Sequence, residues 1–226
     1  QELYNDDIFV GYRYYDTFGV DVSYPFGYGG SYTSFAMSTK SVKADKDKVT
    51  VQVKVKNTGT VSGKEVAEVY FSAPDGELDK PYQELAGYAK TDELAPGESQ
   101  ILTISFDTKE MGSYDTDKAA YVMEDGDYII RVGNSSRNTH VAAKLNVAED
   151  TITEQYSNLM VPVTENDNIE NSDKYPTLEP MTTEGATSIT YDGEANEIAA
   201  AKTIEVDFTG YKAPEIIKEN EDVTVY

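Results

Sequence analysis

The stretch VTVQVKVKNTG, residues 49–59, carries the clearest structural pattern in this chain. Its four valines alternate with polar Thr, Gln and Lys side chains, so an extended backbone would have one apolar face and one polar face. This alternation predicts a β-strand that is buried on one side. Asn57-Thr58-Gly59 then predicts a turn, in which Gly59 can adopt the positive φ that other residues avoid.

Similar short apolar runs recur along the chain as far as residue 147. Turn sequences such as Pro74-Asp75-Gly76 and Pro96-Gly97 separate them, and helical periodicity is weak. Roughly seven strands of this kind predict an all-β fold, and the pattern alone leaves both a sandwich and a barrel open. The apolar strand positions predict a core that contains Val51, Val53, Val55, Val69, Phe71, Leu102, Ile104, Phe106, Tyr128, Ile130 and Val132.

Aromatic residues are concentrated before these strands. Residues 9–35, FVGYRYYDTFGVDVSYPFGYGGSYTSF, hold ten of the chain's 18 tyrosines and 7 phenylalanines. Exposed aromatic area is unfavourable in water, and the glycines and Pro25 interrupt any regular strand. We therefore expect residues 9–35 to form an ordered coil that lies against its own domain or against a neighbouring one.

The same aromatic segment resembles part of a known family. YNDDIFVGYRYYDTFG (4–19) and YPFGYGGSYT (24–33) are similar to the junction in glycoside hydrolase family 3 enzymes at which an α/β sandwich domain is followed by a fibronectin type III-like domain. Further similar stretches follow in the family's order. They are NTGTVSGKEVAEVYFSAPDGELDKPYQELAGYAKT (57–91), LAPGES (94–99) and SYDTDKAAYVMEDGDYIIRVGNSSR (113–137).

This resemblance implies a fold and a role. It implies an immunoglobulin- or fibronectin type III-like antiparallel β-sandwich over residues 34–148, after a junction segment at 1–33. Retaining hydrolysis in this family needs two positioned carboxylates, which lie in a barrel domain and in the α/β sandwich domain. The chain contains neither domain, so no catalytic residue and no cofactor are assigned to it.

The implied role is that of a non-catalytic accessory domain of a β-glucosidase. Its partners would be the catalytic domains of the same enzyme, which it would brace at the rim of the substrate cleft, and oligosaccharide would be reached through that enzyme. The alternative is a stand-alone carbohydrate-binding or adhesion sandwich. Exposed, coplanar aromatic rings on a strand face would favour that alternative.

The junction segment supplies the candidate site residues. Arg13 lies among tyrosines, where a guanidinium can stack on rings and can pair with Asp16 or with another carboxylate. Three interpretations are open: packing on the domain's own sheet, docking on the catalytic domains, and an aromatic platform for sugars. The candidates for docking are Tyr12, Arg13, Tyr14, Tyr15, Asp16, Tyr24, Phe26 and Tyr28.

The loop PDGELDKP, residues 74–81, is a weak candidate metal site. Asp75, Glu77 and Asp79 alternate as the hard oxygen ligands of Ca²⁺ would. The loop lacks the bidentate Glu that closes such a site, so a structural connection is the favoured interpretation. His140 is the one histidine of the sequence and is interpreted as a surface residue of a strand.

Composition excludes several classes of function. The net charge of −22 argues against a nucleic acid partner, because phosphates require clustered Lys and Arg. No apolar run approaches the ~18 residues of a membrane span. The absence of cysteine excludes disulfides and thiolate metal sites but leaves the compartment open, either cytoplasmic or secreted. Because the chain begins with Gln1, we expect a fragment or a processed product.

Residues 149–226 differ in character from the strands before them. They carry 18 acidic and 4 basic residues, and residues 150–187 contain three prolines and no apolar period. This composition predicts an acidic linker or extension. Within it, two β-prone pieces predict a short hairpin over 187–208 or an addition to a sheet edge, and residues 194–201 predict two helical turns.

Overall fold

A computed structural model describes residues 7–157 and 181–214. Within these residues the protein has eleven β-strands, two short α-helices and a 3₁₀ helix at Thr108–Met111. No helix in this part of the chain is long and apolar enough to cross a membrane. The α-helices are α1 (Tyr12–Thr17) and α2 (Glu194–Ala200). The strands are β1 (Phe35–Ala44), β2 (Lys48–Asn57), β3 (Val66–Ser72), β4 (Glu84–Lys90), β5 (Ser99–Asp107), β6 (Ser113–Asp115), β7 (Ala120–Met123), β8 (Gly126–Gly133), β9 (Thr139–Val147), β10 (Thr151–Gln155) and β11 (Thr203–Val206).

The strands form two large sheets and one small sheet. One large sheet has the order β1-β2-β5, the other has the order β11-β9-β8-β3-β4, and the small sheet has the order β10-β7-β6. Neighbouring strands are antiparallel, except that β11 runs parallel to β9. The two large sheets share one apolar core. The predicted antiparallel β-sandwich is therefore confirmed, and the sheets remain separate instead of closing into a barrel.

Strand β2 shows how the sequence pattern becomes the core. Val49, Val51, Val53 and Val55 are each 0% exposed, whereas the polar residues between them are partly or fully exposed. β2 is the central strand of its sheet, so its apolar face lies over the facing sheet. Every predicted core position belongs to the same buried cluster, which confirms the predicted register.

The turn after β2 is built around a buried asparagine. The Asn57 side-chain amide donates to the carbonyl oxygens of Val61 (2.7 Å) and Leu94 (2.8 Å). Its Oδ1 accepts hydrogen bonds from Thr33 Oγ1 (2.8 Å) and from the Gly59 N–H (3.0 Å). The positive φ expected at Gly59 is not found. Glycine is needed there for space, because a Cβ would lie 2.2 Å from Thr33 Oγ1.

The central strands β3 and β8 of the five-stranded sheet are buried on both faces. Alternate residues of β3 face the core, yet Glu68, Tyr70 and Ser72, which point the other way, are buried as well. Arg131 of the neighbouring strand β8 is also buried, at 3% exposure. Buried polar groups require hydrogen-bond partners. Tyr70 donates to Glu68 within β3, whereas Arg131 finds a carboxylate, that of Glu194, on a segment that covers this face.

The C-terminal segment corrects the linker prediction. Residues 151–155 form β10, which the linker prediction did not contain. Of the two alternatives for the β-prone pieces, the hairpin over 187–208 is not formed and the addition to a sheet edge is confirmed, because β11 pairs with residues 144–147 of β9. The predicted helical turns are confirmed as α2. The edge of β9 that β11 joins is remote in sequence, so local patterning could not select it over a hairpin. The rest of the predicted linker, residues 158–180, lies outside the described residues.

We expect truncation of Ile130 to destabilise the domain strongly. The Ile130→Ala change should lower the free energy of unfolding by about 2–5 kcal/mol, because it leaves a cavity between the two sheets. The matched control is Ile101→Ala in β5, where the side chain is 56% exposed and the change should cost little. Denaturant unfolding followed by circular dichroism measures both values. Similar losses for the two variants would contradict the predicted core.

We expect the Glu68→Gln change to stabilise the protein at pH 8. Burial raises the pKa of Glu68, the Tyr70 hydroxyl partly offsets this rise, and Glu65 adds to it. The ionised carboxylate is therefore unfavourable in the folded state, and the cost disappears as the pH falls through this raised pKa. At pH 8 the change should raise Tm by about 2–4 °C for each kcal/mol by which it stabilises the fold. This rise should vanish in acid, where the carboxyl group is protonated in both states.

The exposed Glu93→Gln change is the control for this prediction, since it should leave the melting temperature nearly unchanged across the same range. Thermal melts from pH 4.5 to pH 8 provide the comparison. A lower Tm for Glu68→Gln than for the unaltered chain at pH 8 would show that the ionised carboxylate stabilises the fold.

Candidate docking surface

The junction segment is not the continuous coil that the sequence predicts, because it contains helix α1, whose last residues turn into the domain. Asp16 is buried, and Arg137 donates from Nε to its Oδ1 at 2.8 Å. The same guanidinium donates from Nη2 to the carbonyl oxygens of Val20 (2.6 Å) and Tyr15 (3.2 Å). Arg13 pairs with Glu84 of β4 at 3.2 Å, and Asp16 pairs with Arg137. The Arg13–Asp16 pair considered from the sequence is thus replaced by two pairs that hold the helix on the sandwich.

Tyr12 also packs against its own domain. Its ring stacks on Phe26 with a centroid distance of 4.6 Å and meets the ring of Tyr70 edge-on at 6.0 Å. Its hydroxyl oxygen accepts a hydrogen bond from the Leu85 N–H at 2.8 Å. Burial raises the pKa of Tyr12, which keeps the hydroxyl neutral. Tyr12 therefore packs between the junction segment and the sheet, and it is not available to a partner.

Tyr14 and Tyr15 lie on the outer side of α1. The Tyr14 ring lies 5.0 Å from the Phe18 ring and 5.4 Å from the Tyr15 ring, measured between centroids. Tyr14 is half-buried, whereas Tyr15 is exposed. The aromatic cluster on this helix is thus exposed to solvent at Tyr15.

The loop that follows α1 presents its rings outward. We call residues 24–32 the aromatic loop. Tyr24 is 71% exposed and Tyr32 is 99% exposed, and Phe26 and Tyr28 are exposed as well. The Tyr24 and Tyr28 rings lie 5.1 Å apart and are tilted by 32°. Four exposed rings in nine residues form an apolar patch of the kind that marks an interaction surface.

The backbone of the aromatic loop is held in place although its rings are exposed. The Ser136 N–H donates to the Phe26 carbonyl oxygen at 2.8 Å. Gly27 has a φ of 81°, and a Cβ there would lie 2.4 Å from the carboxylate oxygens of Glu68. Only glycine fits this close approach. The exposed rings are therefore carried by an ordered loop.

Tyr32 of the aromatic loop was not among the predicted docking residues, and neither was Tyr88. Tyr88 lies in edge strand β4 directly across from Glu68 in the antiparallel register, and it is 70% exposed. Cross-strand partners share a face of the sheet, so Tyr88 lies on the side that carries the aromatic loop. An aromatic side chain at a solvent-facing position of an edge strand was the signal available in the sequence.

The loop at residues 74–81, the weak candidate for a calcium site, is held by hydrogen bonds and an ion pair within the protein. Buried Glu124 accepts a hydrogen bond from the Glu77 N–H at 2.6 Å and forms an ion pair with Lys80. Asp79 Oδ1 accepts hydrogen bonds from the Thr183 hydroxyl (2.7 Å) and N–H (3.2 Å). Asp75 and Glu77 are exposed. In the described part of the chain, no three His, Cys, Asp or Glu side chains converge as metal ligands.

Comparison with known proteins identifies this architecture. A model of the "Fibronectin type III-like domain" matches residues 65–136. The chain is 43% identical over 169 residues to a β-glucosidase of Ruminococcus albus, an alignment that covers 72% of this chain and 18% of that protein.

Two solved structures show the same similarity. A β-glucosidase from Paenibacillus barengoltzii superposes with a TM-score of 0.67 at 47% identity, over 70% of this chain and 19% of that one. A GH3 β-glucosidase from Bifidobacterium adolescentis superposes with a TM-score of 0.58 at 34% identity, over 64% and 21% of the two chains. The chain thus spans about a fifth of the length of these relatives. It carries the fibronectin type III-like domain of glycoside hydrolase family 3 β-glucosidases.

Proposed function

We propose that the chain serves as a non-catalytic accessory domain of a β-glucosidase, which it braces by docking its aromatic loop on the catalytic domains of the same enzyme. The observation that carries this proposal is that some side chains of the junction segment bind the sandwich while others are exposed. Tyr12, Arg13 and Asp16 attach it to the sandwich, whereas the rings of the aromatic loop are exposed on an ordered backbone.

An ordered aromatic surface suits a permanent contact between domains. Tyr and Phe are enriched at the cores of interfaces, where they bury a large area with few rotatable bonds. Because the loop backbone is already held by the hydrogen bonds from Ser136 N–H to Phe26 O and from Tyr28 N–H to Pro25 O, docking would cost little additional conformational entropy. The similarity to a fraction of much longer β-glucosidases supports the presence of neighbouring domains.

The buried carboxylates support a non-catalytic role. Glycoside hydrolysis needs two carboxyl groups that face a common substrate cleft. In the described residues, each buried carboxylate is instead engaged by a structural partner. The pairs are Asp16 with Arg137, Glu68 with Tyr70, Asp115 with Lys118, Glu124 with Lys80, and Glu194 with Arg131.

The arrangement of exposed rings does not favour the carbohydrate-binding alternative. Tyr114, Tyr121 and Tyr156 cluster on the small sheet, but their ring planes are inclined to one another by 64–73°. A flat sugar face stacks best on coplanar rings. The aromatic loop, with four exposed rings on the side that also carries Tyr88, is better suited to a protein surface.

We expect the isolated chain to be inactive towards aryl β-glucosides, because its buried carboxylates are committed to structural pairs. Release of p-nitrophenol from p-nitrophenyl β-glucoside measures this directly. The longer protein that contains this sequence is the positive control. Turnover by the isolated chain that disappears when a single carboxylate is replaced would refute the accessory role.

We expect the aromatic loop to matter only in the presence of the neighbouring domains. The double change Tyr24→Ser and Tyr28→Ser should leave the stability of the isolated chain within about 0.5 kcal/mol. In the longer protein it should weaken domain association by more than about 1 kcal/mol, as for interface aromatic residues in general. Thermal unfolding of both proteins measures the two effects.

Ile101→Ser is the control for this docking test, since Ile101 is exposed on the outer face of the other sheet, away from the aromatic loop. It should have a small effect in both proteins. If the tyrosine changes are as mild as the control in the longer protein, the aromatic loop is not a docking surface.

A further inference from the structure

Two segments from opposite ends of the chain cover the outer face of the five-stranded sheet, and they touch each other. One is α1, and the other is residues 181–214, which we call the strap. The Ile189 N–H of the strap donates to the Asp16 carbonyl oxygen at 2.8 Å. A Cβ at Gly19 would lie 2.5 Å from the Thr187 carbonyl oxygen. The strap backbone therefore lies in direct contact with the end of α1, which we call the junction helix.

Tyr82 connects the same two segments from within the sandwich. Its backbone N–H donates to Thr17 Oγ1 of α1 at 2.8 Å, and its hydroxyl donates to Glu194 Oε1 of α2 at 2.6 Å. Both Thr17 and Glu194 are buried. One residue thus holds the junction helix with its backbone and the strap with its side chain.

Glu194 also provides a charge that the outer face needs. Arg131 Nη1 lies 2.6 Å from Glu194 Oε1, and both side chains are at least nine-tenths buried. The guanidinium lies over the Tyr82 ring, 4.9 Å from its centroid, and its Nε donates to Ser72 Oγ at 2.8 Å. A buried arginine without a counter-ion is strongly unfavourable. Without the strap, Arg131 would lose the carboxylate that neutralises it.

Further contacts hold the strap along its length. Glu197 accepts hydrogen bonds from the Tyr191 hydroxyl at 2.6 Å and from the Val141 N–H at 2.9 Å. Strand β11 adds four paired residues to the edge of β9, and Val206 enters the apolar core. The strap is therefore bound at its helix, at its strand and at the junction helix.

We propose that the strap and the junction helix form one coupled clamp, in which Tyr82 and Glu194 transmit the docking of the strap to the position of α1. When the strap leaves, Arg131 loses its counter-ion and the Tyr82 hydroxyl loses its acceptor. The Tyr82 segment then moves, and its backbone contact with Thr17 weakens. The clamp sets the orientation of the chain that enters the domain, and it does not depend on the docking proposed above.

Hydrogen exchange of the whole chain, followed by mass spectrometry, tests this coupling. Tyr82→Phe removes only the hydroxyl that reaches the strap, and Glu194→Gln removes the charge of the strap. Both changes should speed exchange in the strap, including Ile189, and also in α1 up to Phe18, each by about tenfold, a typical factor for coupled sites. Strand β2 should keep its protection. The control, Glu205→Gln, changes an exposed strap carboxylate and should leave every segment unchanged.

The reverse experiment removes the contact of Tyr82 with the junction helix. Thr17→Val should speed exchange in α1 and, because coupling is reciprocal, in the strap by a similar factor. Faster exchange of the strap alone in Tyr82→Phe, or no change in either segment, would overturn the clamp. An equal rise in β2 would also overturn it, because the strap would then belong to the global unfolding unit.

Discussion

Burial of the polar outer face of the five-stranded sheet is the constraint on which most of this structure depends. A sandwich sheet usually leaves that face to water, but here Glu68, Tyr70 and Arg131 are covered. Each needs a partner at hydrogen-bonding distance, which comes either from the sheet itself or from the segments that cover it. Tyr70 donates to Glu68, and Glu194 of the strap pairs with Arg131. The strap is therefore held on this face by a buried ion pair as well as by apolar contacts.

The same constraint explains how the junction segment can be both attached and exposed. Asp16 and Thr17 point into the sheet, where Arg137 and the Tyr82 backbone hold them. The chain then passes over Glu68 at Gly27, where there is no room for a side chain. Because the backbone is held at these points, the rings of the aromatic loop can stay in water without losing their order. This combination of a held backbone and free rings suits a surface that meets another domain.

Acidic residues have two different uses in this chain. In the part of the chain that the structure describes, most of them are exposed and contribute to the negative surface charge. A few are buried and act as acceptors: Glu124 joins the 74–81 loop to Lys80 and the Glu77 N–H, and Glu194 joins the strap to Arg131. Composition cannot separate these two uses, because a buried glutamate and a surface glutamate look alike in a sequence.

Local patterning determined the β-strands and their buried faces, although the pattern alone left both a sandwich and a barrel open. The alternation in β2 and the apolar positions of β3, β5 and β8 predicted the core and its register, because a period of two assigns each side chain to one face of a strand. The motifs of the junction and of residues 57–137 predicted the family. The tertiary structure alone decided which aromatic residues pack and which stay exposed, that Arg13 pairs with Glu84, and that β11 joins β9 in parallel. These features depend on contacts between residues far apart in the chain, and no local period records such contacts.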